Sequence, residues 1–327
     1  MINNIKGFID QLRFDAEVLG ENFEYKGKRV FVAGMGGSGA VADLLVDWLD
    51  REIIPVKGYK LPSFAEEGDL GIFVSYSGNT EETLSVLEDG LRKGLRCVCV
   101  SSGGKLEEIS LQKGLLFLKV PGGFHPREAY GFLISAVFKA LKIVRYLDSE
   151  AGREYYSAVE SLQLYLPLLS SEDSETYELA GKLYRRIPLI YSQFYSVAVR
   201  WKNQINENAK NFAHISVFPE HNHNEIEGFE FPDFFKDKAW IVFLRTDFDH
   251  ERVKIRMEAV KEILREHTVG ISEVHSKGKS KLEQLLYLIW FGDFVSYWLA
   301  LINSVDPYRI DRIKALKESL KIYPSGG

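Results

Sequence analysis

Apolar and polar positions divide the chain into short apolar runs and longer stretches of helical spacing, in alternation. Arg29–Ala33 reads as a buried strand, and Ala40–Leu49 as the helix that follows it. Ile53–Tyr59, Leu70–Ser75, Arg96–Ser101 and Leu115–Val120 are further apolar runs of strand length. Helices are predicted over 84–91, 106–112 and 129–147. Residues 2–19 place Ile5, Phe8, Ile9, Leu12 and Val18 on one side, which predicts a leading amphipathic helix. Polar breaks at 148–153 and 170–174 follow, with a helix over about 155–168 between them, and the alternation then restarts. Strands are predicted at Ile187–Tyr191, His214–Phe218, Trp240–Leu244 and Thr268–Val274, and helices over 197–210, 253–265, 282–301 and 310–322. Such an α/β order predicts mainly parallel, doubly wound sheets flanked by helices. Its restart predicts two similar domains in tandem, 1–149 and 150–327.

Length agrees, since 327 residues suit about two domains of ~100–200 residues. Charge narrows the partners. With 41 basic against 46 acidic residues and no basic block, a nucleic-acid partner is not expected. A locally positive site for small anions stays open. The N-terminus does not read as a signal peptide, and the long apolar segment 282–301 is broken by Glu283, Asp293 and Ser296, so no membrane span is expected. Cys97 and Cys99 fall on one face of a predicted strand. They read as reduced core residues of a cytoplasmic protein, because no further cysteine exists to complete a metal site.

Candidate chemistry begins where the first strand meets its helix. Gly34-Met-Gly-Gly-Ser-Gly39 packs four glycines into six residues. Strand, glycine turn and helix together present backbone N–H groups to an anion. A dinucleotide fingerprint would want an acidic residue about 20 positions on, where Ile53, Ile54, Pro55 and Val56 stand instead. A P-loop would need Gly-Lys-Ser/Thr, which is missing. Glycines alone would be read as a tight turn. A second motif changes this: Ser75-Tyr-Ser-Gly-Asn-Thr80 closes the third strand and opens a helix. Ligands of doubly wound sheets bind at the carboxyl ends of strands. Ordinary capping by Thr80 with Thr83 is the simpler reading of the threonines. The pair of motifs points instead to a phosphomonoester, held without lysine or metal by hydrogen bonds of roughly 1.5–3 kcal/mol each.

On these motifs the sequence resembles the sugar isomerase (SIS) family of phosphosugar-binding domains. The resemblance implies that Ser38, Ser75, Ser77 and Thr80 hold a sugar phosphate, with Gly37 contributing backbone. In the second half, Arg200, Gln204 and Glu207 are spaced to share one helix face. Phe218-Pro-Glu-His-Asn-His-Asn-Glu225 follows, and Pro126-Arg127 offers a cation near a strand end of the first half. Aldose–ketose isomerisation needs a base to move a proton between C1 and C2, a second acid/base to open the ring, and a cation for the enediolate.

With the Asn-Glu-Asn and His-Asn-Glu segments included, nearly the whole chain resembles the bifunctional phosphoglucose/phosphomannose isomerase family. That resemblance implies two SIS domains and sugar 6-phosphate substrates; no metal or cofactor is expected, because the enediol route needs none and no third ligand is convincingly spaced. It implies Glu207 as base, His223 as ring-opening residue and Arg127 as the stabilising cation. It further implies a homodimer in which His223 completes the neighbour's site, and a C-terminal lysine at the substrate, Lys317 before Lys314. Other readings remain beside it. His221 and His223 could be exposed loop residues, or zinc ligands with Glu220 and Glu225. The chain could be a phosphosugar sensor, although no segment reads as a DNA-binding helix-turn-helix. Amide transfer would require a glutaminase domain with an N-terminal cysteine, and residue 2 is Ile.

Overall fold

The computed structural model describes residues 1–320. Its first sheet has six strands: β1 (Glu17–Leu19), β2 (Val30–Ala33), β3 (Ile53–Val56), β4 (Leu70–Val74), β5 (Arg96–Ser101) and β6 (Leu116–Lys119). Their order is β1-β6-β5-β4-β2-β3. Only β1 runs antiparallel, on the edge beside β6. The second sheet is fully parallel, with β7 (Ile187–Ser192), β8 (His214–Val217), β9 (Ala239–Arg245) and β10 (Gly270–His275) in the order β10-β9-β7-β8.

The expected leading helix over 2–19 is not one element. Two short helices, α1 (Ile2–Lys6) and α2 (Phe8–Leu12), meet at Gly7, and the chain then extends into β1. Ile5, Phe8, Ile9 and Leu12 are buried as expected. Val18 instead pairs with Leu118. A helical count places it on the same face, but the open edge of β6 offers backbone partners that a solvated helix end lacks.

The helices between and beyond the first strands are α3 (Gly36–Trp48), α4 (Glu81–Arg92), α5 (Gly104–Gln112) and α6 (Tyr130–Ile143). Then come α7 (Ser149–Leu162), α8 (Leu166–Leu169) and α9 (Glu175–Leu183), followed by α10 (Tyr195–Ala209), α11 (Glu251–Leu264), α12 (Lys281–Ile302) and α13 (Asp311–Leu320). The last helix is expected to reach 322, and positions 321 and 322 lie outside the described residues. The polar stretch at 148 starts α7, with Asp148 accepting hydrogen bonds from Glu150 N and Ala151 N.

Strand alternation sorts the core. Val32, Ile72 and Val98 of the first sheet and Ile190 and Val242 of the second face one shared apolar cluster with Trp201 and Trp290. Burial of each such aliphatic side chain contributes about 1.5–3 kcal/mol. Their strand neighbours face outward: Phe31, Phe73, Cys97 and Cys99 under one layer, Leu189, Tyr191 and Phe243 under the other. Both cysteines are free and buried, and burial pushes the Cys97 thiol up to about 12. The apolar α12 is wrapped by protein, and Arg200 of α10 reaches Asp293 in its middle.

Candidate active site

The first sheet reverses its strand order between β2 and β4, and both predicted motifs leave the sheet there. The turn after β2 needs glycine for a steric reason. A β-carbon at Gly39 would stand 2.4 Å from Gly34 O, and one at Gly34 would stand 2.9 Å from Val74 O. Ser38, in the first turn of α3, is buried, and its Oγ accepts a hydrogen bond from Tyr76 N at 3.1 Å. The two motifs are thus in contact.

In the second motif Ser75 is fully buried, and its Oγ donates to Thr80 Oγ1 at 2.8 Å. Ser77 is exposed, and its Oγ accepts from Asn79 N. Thr80 occupies the N-cap position of α4, yet its side chain caps nothing; Thr83 Oγ1 is buried without a hydrogen-bond partner. The simple capping reading therefore fails. The first turn of α3 likewise has no capping side chain. Neither helix N-terminus at the switch point is capped by a side chain, an arrangement that suits an anion. Gly78 fixes the loop with φ +67, because a β-carbon there would meet Gly103 O at 1.7 Å.

Arg127 adjoins the glycine turn of the first motif. A β-carbon at Gly37 would lie 3.2 Å from Pro126 O and 3.6 Å from Arg127 Cα. The Arg127 side chain is buried and turned towards the second half of the chain. Its Nε donates to Asn208 Oδ1 at 2.7 Å and one terminal nitrogen to Pro307 O at 2.6 Å. The other stands 3.6 Å from Glu207 Oε2. Glu207 is half-exposed on the last turn of α10 and lines a 440 Å³ groove with Lys210, Arg309 and Ile313. The second half thus contributes a helix end, not the carboxyl edge of its own sheet.

Arg200 does not reach this groove. It is buried and paired with Asp293 through two hydrogen bonds of 3.0 and 2.8 Å. It also donates to Arg127 O at 2.8 Å and lies 4.5 Å above the Tyr130 ring. Burial raises the Asp293 carboxyl, and the Arg200 charge works against that rise. Two contributors have no clear signal in the sequence. Lys210 closes α10 in a left-handed conformation, with Nζ donating to Glu207 O and, at 3.4 Å, to Asn208 O and Pro307 O. Desolvation and the nearby Arg127 charge lower its pKa. Only its place three residues after Glu207 could have drawn notice. The Pro307 carbonyl carries no sequence signal at all.

The two loop histidines separate. His221 is fully buried between Tyr191 and Phe218, with ring centroids 4.5 and 4.9 Å away, and burial lowers its pKa. His223 is exposed at the end of a short 3-10 turn and does not line the Glu207 groove of its own chain. Glu225 anchors that loop by accepting from Tyr191 OH at 2.6 Å and contacting His214 Nε2 at 3.1 Å. Among the described residues no three His, Cys, Asp or Glu side chains gather into a metal-sized site. Lys314 and Lys317 lie on α13, which is exposed along its length; its first turn, not these lysines, borders the groove.

Comparison with known proteins decides the family. A protein of Aquifex aeolicus named bifunctional phosphoglucose/phosphomannose isomerase is 35% identical over 324 residues, 97% of each chain. The chain belongs to the bifunctional phosphoglucose/phosphomannose isomerase family. A Caldicellulosiruptor bescii protein of the same name is 35% identical over 89% of each chain. The family model for the bacterial phospho-glucose isomerase C-terminal SIS domain matches residues 172–320. In fold, the chain is similar to a glucose-6-phosphate isomerase like protein from Thermus thermophilus. The TM-score is 0.64 at 22% identity, covering 96% of this chain and 93% of that one.

Proposed function

We propose that this chain is a metal-independent isomerase that interconverts fructose 6-phosphate with glucose 6-phosphate and mannose 6-phosphate through a cis-enediol(ate). One observation carries the reading: the Glu207 carboxylate and the Arg127 guanidinium stand 3.6 Å apart, next to the Gly37–Ser38 turn. A base and a fixed cation beside an anion-binding turn are what enediolate chemistry on a sugar phosphate requires.

In this reading residues 1–149 form the phosphate-holding domain and 150–327 the domain that brings the base. Ser38, Ser77 and Thr80 donate to the phosphate, with Ser75 supporting Thr80 from beneath. Glu207 takes the proton from C1 or C2 and returns it to the other carbon. Arg127 stabilises the enediolate oxygens, held in place by Asn208 Oδ1 and Pro307 O. Glucose and mannose 6-phosphate differ only at C2, so one enediol serves both if the substrate turns about C2–C3. His223 opens the ring of a substrate bound to the neighbouring subunit of a cytoplasmic homodimer. Its exposure, away from its own chain's groove, supports that role. Lys317 or Lys314 adds a substrate contact from α13.

The test is a coupled assay on fructose 6-phosphate after EDTA treatment, following both aldose 6-phosphates, with wild type and Glu207→Gln. EDTA-resistant formation of both is expected, with a loss of about 10²–10⁴-fold in the variant. Activity removed by EDTA and restored by zinc would move the chemistry elsewhere. Sugar-phosphate binding without turnover would make the chain a sensor.

A further inference from the structure

Helices α3 and α10 lie side by side and run in opposite directions, and the pair is tied at both ends. At one end the first turn of α3 abuts Arg127, where a β-carbon at Gly37 would be 3.6 Å from Arg127 Cα. Arg127 in turn bonds Asn208 in the last turn of α10. At the other end Asp47, in the last turn of α3, accepts a hydrogen bond from Ser196 N at 2.7 Å. Ser196 is the second residue of α10, whose own N-cap residue, Phe194, supplies no capping side chain. The first turn of a helix leaves N–H groups unpaired, so Asp47 caps α10 from 149 positions earlier in the chain. A second tie stands beside it. Lys57 pairs with Asp43 at 2.6 Å, and its Nζ lies 5.3 Å from the ring of Tyr195, the first residue of α10.

The arrangement has a geometric consequence. The amino end of α3 carries the phosphate turn, and the carboxyl end of α10 carries Glu207. A slip of α10 along α3 by one residue would shift the base by about 1.5 Å. Apolar packing alone is non-directional and specifies this axial position weakly, whereas a charged hydrogen bond to one backbone N–H specifies it sharply. We infer that Asp47 is a positioning residue: its bond to Ser196 N sets the register of α10 against α3, and so the distance from the bound phosphate to the base. The inference rests on the proposed function above, in which Ser38 holds phosphate and Glu207 is the base.

Two competitive inhibitors separate the two ideas. Inorganic phosphate occupies only the phosphate turn. An aldonic acid phosphate of substrate length spans the site, with its carboxylate in the place of the enediolate. Their inhibition constants, together with kcat and KM, would be measured for wild type, Asp47→Ala and Asp47→Asn. Asp47→Ala should bind phosphate as wild type does, yet lose on the order of 10²-fold in kcat and in affinity for the spanning inhibitor. Asp47→Asn keeps an acceptor oxygen and should recover most of both. If Asp47→Ala does not fold, Asp47→Leu, which fills the space but offers no acceptor, gives the same comparison. Equal loss of both inhibitors, or loss of neither, would overturn the positioning role. A wild type that binds neither inhibitor would overturn the proposed function instead.

Discussion

The guanidinium of Arg127 and the carboxylate of Glu207 stand 3.6 Å apart, and a single carbonyl, Pro307 O, accepts a hydrogen bond from Arg127 and another from Lys210 beside Glu207. The segment between α12 and α13 thereby ties Arg127 and Lys210 to one acceptor beside Glu207.

Arg127 cannot be replaced by lysine without loss. Its planar fork meets Asn208, Pro307 and Glu207 at once, and a lysine ammonium on a flexible stem cannot match that geometry. Arg127→Lys is expected to lower kcat by about 10²–10³-fold, the loss typical of a removed transition-state donor. KM should change less. Steady-state kinetics on fructose 6-phosphate checks this, and an unchanged kcat would remove Arg127 from the chemistry.

Arg200 and Asp293 form a buried pair, with 2% and 8% of their side chains exposed. Asp293→Ala strands the guanidinium and should cost about 3–5 kcal/mol of stability in urea titration. Arg200→Met with Asp293→Leu should recover most of that stability, since apolar replacements of buried pairs are tolerated. Activity should stay low in the double variant, because the Arg127 carbonyl has lost its donor. Full activity there would show that Arg200 serves stability alone.

Sharing of a site across a dimer has a direct test. Glu207→Gln and His223→Gln should each be inactive alone. Mixed and exchanged at equal amounts, they form heterodimers with one intact site, so about a quarter of wild-type activity should return. No recovery, with subunit exchange demonstrated by mass, would place Glu207 and His223 in separate roles.

The loop bearing His223 should respond to pH on both sides. Its hydrogen bond to Glu225 raises the pKa of His214 above the ordinary 6.5. That contribution is full below 6.5 and disappears as pH climbs through the raised value. Burial alone would raise Glu225, but bonds from His214, Tyr191 and Ser216 hold it below the ordinary 4.5. Its contribution is full above 4.5 and disappears as pH falls through the lowered value. Amide-exchange protection over residues 218–227 should therefore peak between pH 4.5 and 6.5. His214→Gln should abolish the decline on the alkaline side. A flat profile in wild type would mean that the pair does not hold the loop.

Much of the fold is legible because apolar strands between amphipathic helices leave a strong periodic trace. Every strand predicted from an apolar run forms within a few residues of its expected place. The strand at 17–19 escapes sequence reading because three residues on a sheet edge, with Val18 and Leu19 packed on opposite faces, carry no period of their own. Ser38, Ser75 and Thr80 are legible as a group because two hydroxyl-bearing turns each follow a buried strand; the glycines alone would read as a tight turn. What the sequence does not reveal is that the Ser75 hydroxyl is fully buried and donates to Thr80 Oγ1.

What the sequence determined by itself was the alternation of elements and the two hydroxyl-bearing turns that close the first and third apolar runs. Those depend on local steric demands and on spacing within one element. Tertiary structure alone decided that Arg127 of the first half sits against Glu207 and Asn208 of the second, that Arg200 supports it from behind, and that Asp47 caps α10. Each of these joins residues far apart in the chain, and packing of α3 against α10 brings them together. No local propensity encodes that packing, because apolar burial rewards any close fit, and only the assembled core selects this one.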